Sequence, residues 1–139
     1  MKEESQTSSA VPKRILVVDD NADIRNLISL ILTTESYEVM VVDSGSALLE
    51  EIGNFNPDLL LLDIMMPRMS GFEVLKIVRS LPDAHLSSIP IVMITAKSMD
   101  ADVEQALALG ATSYIVKPFR AEALKHKVNA QLSQGAVGR

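Results

Sequence analysis

The sequence predicts an α/β fold, (βα)5, whose strands form one five-stranded parallel sheet with helices on both faces, and three observations predict it. Five short apolar runs alternate along the chain with segments of helical periodicity, the pattern of consecutive βα units. Three of these runs lack apolar/polar alternation, as expected of strands covered on both faces. Pro57, Pro67 and Pro90 stand close to the runs, where they break helices and favour strands. The 139 residues are 47% hydrophobic, which suits one domain with a continuous core and leaves almost no room for a second. A mean hydropathy of +0.21 agrees.

In chain order, the first strand is "RILVV", Arg14 to Val18. Ile24, Leu27, Ile28, Ile31 and Leu32 then follow the spacing i, i+3, i+4, i+7, i+8 and make one apolar helix face. "EVMVV", Glu38 to Val42, is the second strand, and Ala47, Leu48 and Ile52 mark the helix after it. Asp43, between them, reads as a helix cap. "LLLL", Leu59 to Leu62, is the third strand. Ser70 with Glu73 forms a capping box that opens a helix on Phe72, Leu75 and Val78. "IVMI", Ile91 to Ile94, precedes a helix on Val103, Ala106 and Leu107 that ends at Gly110. "YIV", Tyr114 to Val116, precedes a fifth helix on Leu124, Val128 and Leu132. Right-handed crossovers between these units force a parallel sheet. Residues 1–12 are polar, Ser/Thr-rich and aperiodic, so they read as a flexible arm, and 133–139 as a flexible tail around a domain of 13–132.

Composition removes several function classes. With 13 Lys+Arg against 18 Asp+Glu the net charge is -5, so no basic footprint invites a nucleic-acid backbone and no direct nucleic-acid binding is expected. The absence of cysteine excludes disulfides, thiolate metal sites and a thiol nucleophile. No apolar run reaches the roughly 18 residues of a membrane helix, and "MKEESQTSSA" lacks a signal core. A soluble, cytoplasmic protein without membrane contact is expected.

In open α/β sheets the ligand site lies outside the carboxyl ends of the strands. The first run ends in Asp19-Asp20, the third in Asp63, the fourth in Thr95 and the fifth in Lys117. Polar groups thus gather at one edge of an otherwise apolar sheet. Clustered carboxylates repel unless a cation relieves them, and with oxygen ligands alone the cation of choice is Mg2+. Lys117 offers a point charge and Thr95 a hydroxyl donor, both suited to a phosphoryl group. One carboxylate is then left as nucleophile, which yields an aspartyl phosphate. Met65, Met66 and Met69 read as loop packing, and His85 and His126, far apart and without companions, as surface residues.

The segments "ILVVDDN", "LLLLDIMMPRMSGFEVL", "IPIVMITA" and "GATSYIVKPF" together resemble the receiver domain of two-component response regulators over Lys13 to Leu132. The resemblance implies a flavodoxin-like sheet of order 2-1-3-4-5. It implies Asp63 as phosphoacceptor, Asp20 as a direct Mg2+ ligand, Asp19 acting on the metal largely through water, and the Met65 main-chain carbonyl as a further ligand. Thr95 and Lys117 would contact the phosphoryl group, Tyr114 would turn inward when Thr95 moves, and Lys117-Pro118 would be cis. Met65 and Lys97 occupy the positions that tune phosphoryl lifetime, and neither orients an attacking water, so slow self-dephosphorylation is expected. The implied partners are a histidine kinase or histidine phosphotransfer protein and a downstream protein target on the face from Asp100 to Leu132. The implied role is a phosphorylation-dependent switch rather than an enzyme, acting alone or as a piece of a larger regulator. Two other classes compete. An Asp-nucleophile phosphatase wants D-x-D after its first strand, where this chain has Asp19-Asp20-Asn21, and a flavin carrier wants hydroxyls and glycines there.

Overall fold

The computed structural model describes residues 11–96 and 100–137. Five strands, β1 (Arg14–Val18), β2 (Glu38–Val42), β3 (Leu59–Asp63), β4 (Ile91–Thr95) and β5 (Ser113–Val116), pair in parallel in the order β2-β1-β3-β4-β5. The helices are α1 (Ala22–Thr33), α2 (Gly45–Phe55), α3 (Gly71–Arg79), α4 (Ala84–Ser87), α5 (Asp100–Ala108) and α6 (Ala121–Val137). This is the flavodoxin-like α/β architecture.

The period of two along each strand divides the core. Ile15, Val17, Leu59, Leu61, Val92 and Ile94 face α1 and α6, meeting Ile28, Leu32, Leu124 and Val128. Leu16, Val18, Leu60, Leu62, Ile91 and Met93 face the other way, onto Leu48 and Ile52 of α2, Val74 and Val78 of α3, and Ala106 of α5. β3 and β4 are buried along their whole length, which is why they read as unbroken apolar runs, whereas the edge strand β2 is only half-buried. The Tyr37 hydroxyl hydrogen-bonds Asn129 Oδ1 and ties α6 to the turn after α1.

Three local features differ from the sequence reading. α4 is an extra helical turn: the Asp83 carboxylate accepts the Leu86 N–H at 3.0 Å and the Leu86 side chain is buried. Four residues are too few to show a period. Asp43 is not a cap; the Ser44 hydroxyl takes that role, accepting the Ala47 N–H at 3.1 Å, while Asp43 stays exposed. α6 continues past Leu132 to Val137, since a single glycine in a helix costs only about 1 kcal/mol against alanine and does not stop it. The capping box of α3 forms as its sequence indicates, with Ser70 N–H donating to Glu73 at 2.9 Å and Glu73 N–H to the Ser70 hydroxyl at 3.3 Å.

Strand order positions the site. From β1 the chain crosses to β2 on one side and then returns to β3 on the other, so the carboxyl ends of β1 and β3 flank the reversal of winding. Asp19 follows β1 and Asp63 ends β3 there.

Candidate functional site

Each carboxylate arrives by a distinct local device. Asp19 is fully buried: its N–H donates to Val42 O at 3.3 Å, and its Oδ1 accepts the Asn21 N–H at 2.9 Å. Asn21 in turn caps α1, accepting the Ile24 N–H at 3.0 Å. Asp20 is exposed at the mouth. Asp63 is 3% exposed, and its Oδ1 accepts the Met65 N–H at 3.2 Å. One oxygen from each of the three lies within 4.8 Å of the others.

Lys117 reaches this cluster from beyond β5. Its N–H donates to Thr95 O at 2.7 Å, the Lys117-Pro118 peptide is cis, and its Nζ lies 2.8 Å from Asp19 Oδ2 and 3.6 Å from Asp63 Oδ2. Asp19 Oδ2 is buried and receives no well-aligned hydrogen bond, although the Lys117 ammonium lies beside it. Thr95 is buried at the end of β4. The structure therefore brings Asp19, Asp20, Asp63 and Lys117 together, with Thr95 at the neighbouring strand end.

The electrostatics of the cluster are unbalanced. Burial, then the Asp19 charge, raises the Asp63 carboxyl to about 7, with Lys117 and the Met65 N–H pulling the other way. Burial alone would lower Lys117, but the close Asp19 carboxylate, 2.8 Å away, and the charges of Asp63 and Asp20 outweigh it and raise its pKa above the ordinary value. One ammonium cannot neutralise three carboxylates. A buried oxygen without an aligned donor and a cluster of oxygen-only ligands fit a hard divalent cation such as Mg2+.

The other sequence-derived residues lie farther out. Met65 is 67% exposed, and Tyr114 is on the surface of β5 with Lys127 Nζ 5.8 Å from its ring centroid. Lys97 lies outside the described residues. His85 Nε2 sits 2.9 Å from Pro57 O, in α4 and away from the cluster.

Two residues escape a sequence reading. Arg25 Nη1 donates to the Asp19 carbonyl at 2.8 Å; its only trace in the sequence is a cation near a helix N-terminus, against the dipole preference. Gly71 packs on the backbone beneath the phosphoacceptor candidate, donating its N–H to Ile64 O at 2.9 Å. A Cβ there would stand 2.3 Å from Asp63 O and 2.8 Å from Ile64 Cα. Backbone cannot move aside cheaply, so Gly71→Ala should destabilise the fold by about 1–3 kcal/mol and weaken Mg2+ binding by displacing Asp63. Thermal melts and Mg2+ titration check both, and a wild-type melting temperature would contradict the packing argument.

The family model for the response regulator receiver domain matches residues 15–129. The chain belongs to this family. Receiver domains are signalling modules of two-component systems rather than enzymes in the ordinary sense, and this one is 39% identical over 120 residues to the DNA-binding response regulator MtrA of Mycobacterium tuberculosis (strain ATCC 25618 / H37Rv), covering 86% of this chain and 50% of MtrA. The sensory transduction protein RegX3 of Mycobacterium bovis (strain ATCC BAA-935 / AF2122/97) is 36% identical over 121 residues, 87% of this chain and 51% of RegX3. The chain thus spans about half the length of the curated relatives it matches. Among solved structures, chemotaxis protein CheY4 of Vibrio cholerae superposes with a TM-score of 0.82 at 31% identity, over 87% of this chain and 99% of that one. A CheY-like receiver domain protein of Methanospirillum hungatei JF-1 gives 0.85 at 30%, over 93% and 100%.

Proposed function

We propose that this receiver domain is a phosphorylation-dependent switch that accepts a phosphoryl group on Asp63 from a histidine kinase or histidine phosphotransfer protein. The observation that carries the reading is the convergence of three carboxylates within 4.8 Å, with the Lys117 ammonium 3.6 Å from Asp63.

An Asp63 oxygen forms the new bond to phosphorus as the bond from phosphorus to the donor's imidazole nitrogen breaks, and the electron pair leaves with that nitrogen. Lys117 and the Thr95 hydroxyl meet the phosphoryl oxygens. The Met65 N–H holds Asp63 Oδ1 and thereby turns Oδ2 toward Lys117. Asp20, Asp63 and the Met65 main-chain carbonyl would hold Mg2+ directly and Asp19 through water; when bound, that ion supplies the charge that brings an anionic phosphoryl group to an acidic pocket.

Movement of Thr95 toward the phosphoryl group opens space for Tyr114 to turn inward, which alters the face from Asp100 to Leu132 that meets a downstream protein. Met65 offers an attacking water no strong hydrogen bond and Lys97 no acceptor, so the phosphoryl group is long-lived. The acidic balance, -5 overall, supports output through protein contact; MtrA, a DNA-binding regulator, has about twice the aligned length. Among the described residues no helix is long and apolar enough to cross a membrane, and a cytoplasmic location is part of the proposal.

Thermal denaturation with and without Mg2+ tests the metal half of the reading. Binding to the folded state alone should add about 1.4 kcal/mol at ten times Kd and raise the melting temperature by several degrees. A melting temperature indifferent to Mg2+ would remove the metal site.

A further inference from the structure

Asp20 is the one member of the acidic cluster whose carboxylate makes no hydrogen bond or ion pair of its own among the described residues. Its direction is therefore inherited from the backbone, and first from the peptide joining Asp19 to Asp20. The carbonyl of that peptide is held by Arg25, whose Nη1 donates to it at 2.8 Å from α1. Asp19 does not depend on this contact for its own aim. Its Oδ1 is fixed by the Asn21 N–H at 2.9 Å, its Oδ2 faces Lys117 at 2.8 Å, and its N–H reaches Val42 O. What Arg25 adds bears on the residue that follows. Nor does the helix explain an arginine here, because the first turns of a helix favour acids.

We propose that Arg25 is a positioning residue for cation binding: by holding the Asp19 carbonyl it turns the Asp20 carboxylate toward Asp19 and Asp63. The proposal rests on reading the cluster as an Mg2+ site. Its strength is that the charge of Arg25 alone predicts the opposite sign. Removing a cation beside three carboxylates makes the pocket more attractive to a divalent ion, so a purely electrostatic role would give tighter binding on substitution. Loss of positioning gives weaker binding.

Calorimetric titration with Mg2+ alone, at low salt, separates the two. Arg25→Met keeps the apolar stem and drops the donor, and it should weaken Mg2+ binding about three- to tenfold, the range reached when part of a charged hydrogen bond bears on the bound state. Arg25→Lys, which retains a charged donor, should fall between Arg25→Met and wild type. In an Asp20→Ala background the same Arg25→Met change should no longer weaken Mg2+ binding, a loss of effect that general destabilisation would not produce. Should circular dichroism show Arg25→Met unfolded, Arg25→Gln takes its place with the same weakening expected. Unchanged or tighter Mg2+ binding by a folded neutral variant overturns the positioning role, as does an equal effect in the Asp20→Ala background. Wild type that binds no Mg2+ removes the metal-site reading itself, a result distinct from a wild type that binds and a variant that matches it.

Discussion

Asp63→Asn should abolish phosphoryl incorporation from acetyl phosphate or a phosphorylated kinase while leaving the protein folded. An amide has the shape of the carboxylate but cannot attack phosphorus, so the loss is of chemistry rather than of architecture. Folding is not in question, because the site is short of positive charge. Asp63 is 3% exposed, its carboxyl is raised to about 7 by burial and by Asp19, and the charged form is the one that the fold disfavours. Replacing it with a neutral isostere relieves repulsion against Asp19 and Asp20 and leaves Lys117 beside Asp19. The variant should therefore melt higher than wild type at pH 8 in a chelator. Loss of label with a raised melting temperature is a joint signature that misfolding cannot imitate. Label on the variant at the wild-type rate would place the nucleophile elsewhere.

Stability of the metal-free protein should fall as pH rises through the neutral range. The Asp63 carboxyl titrates near its ordinary 3.8 when unfolded and near 7 when folded. Between those values the folded state holds a proton that the unfolded state has lost, so raising the pH favours unfolding. The effect is absent below the lower value and complete above the upper one. At about 1.4 kcal/mol per unit, the full window is worth about 4 kcal/mol, and the accessible part from pH 5.5 to 7.5 about 2 kcal/mol. Melts in chelator should lose several degrees across that part, and the difference between wild type and Asp63→Asn isolates the contribution from other titrating groups. Excess Mg2+ should restore most at pH 8, where the carboxylate is ionised. Parallel pH profiles for the two proteins would show that Asp63 is not the group under strain.

Much of this is legible in the sequence itself. The buried central strands announce themselves because a parallel strand covered on both faces has no reason to alternate, so Leu59 to Leu62 and Ile91 to Ile94 appear as unbroken apolar runs. A residue such as Asp63, polar at the end of such a run, contradicts its surroundings and so marks a site. The Ser70 and Glu73 capping box is local chemistry and needs no tertiary context.

What stayed hidden depends on contacts between distant segments or on alternatives of equal local quality. Asp43 and Ser44 are both good caps, and only the backbone path out of β2 selects Ser44. α4 is too short for a period and exists because Asp83 can cap it and Leu86 can be buried. Asp19 and Asp20 look interchangeable in sequence, yet one is fully buried and the other exposed, since successive residues of an extended chain point to opposite sides. That a glycine must sit under Asp63, and that Arg25 must reach back to the Asp19 carbonyl, follows from how α3 and α1 leave the sheet.

The most direct test of the central claim is to incubate the intact protein with acetyl phosphate, reduce it with borohydride to trap any acyl phosphate, and locate the modified residue by peptide mass spectrometry. A single modified position, Asp63, formed with Mg2+ and absent in chelator, is the predicted result. Modification at Asp19 or Asp20 instead, or equal labelling of Asp63 in chelator, would contradict it.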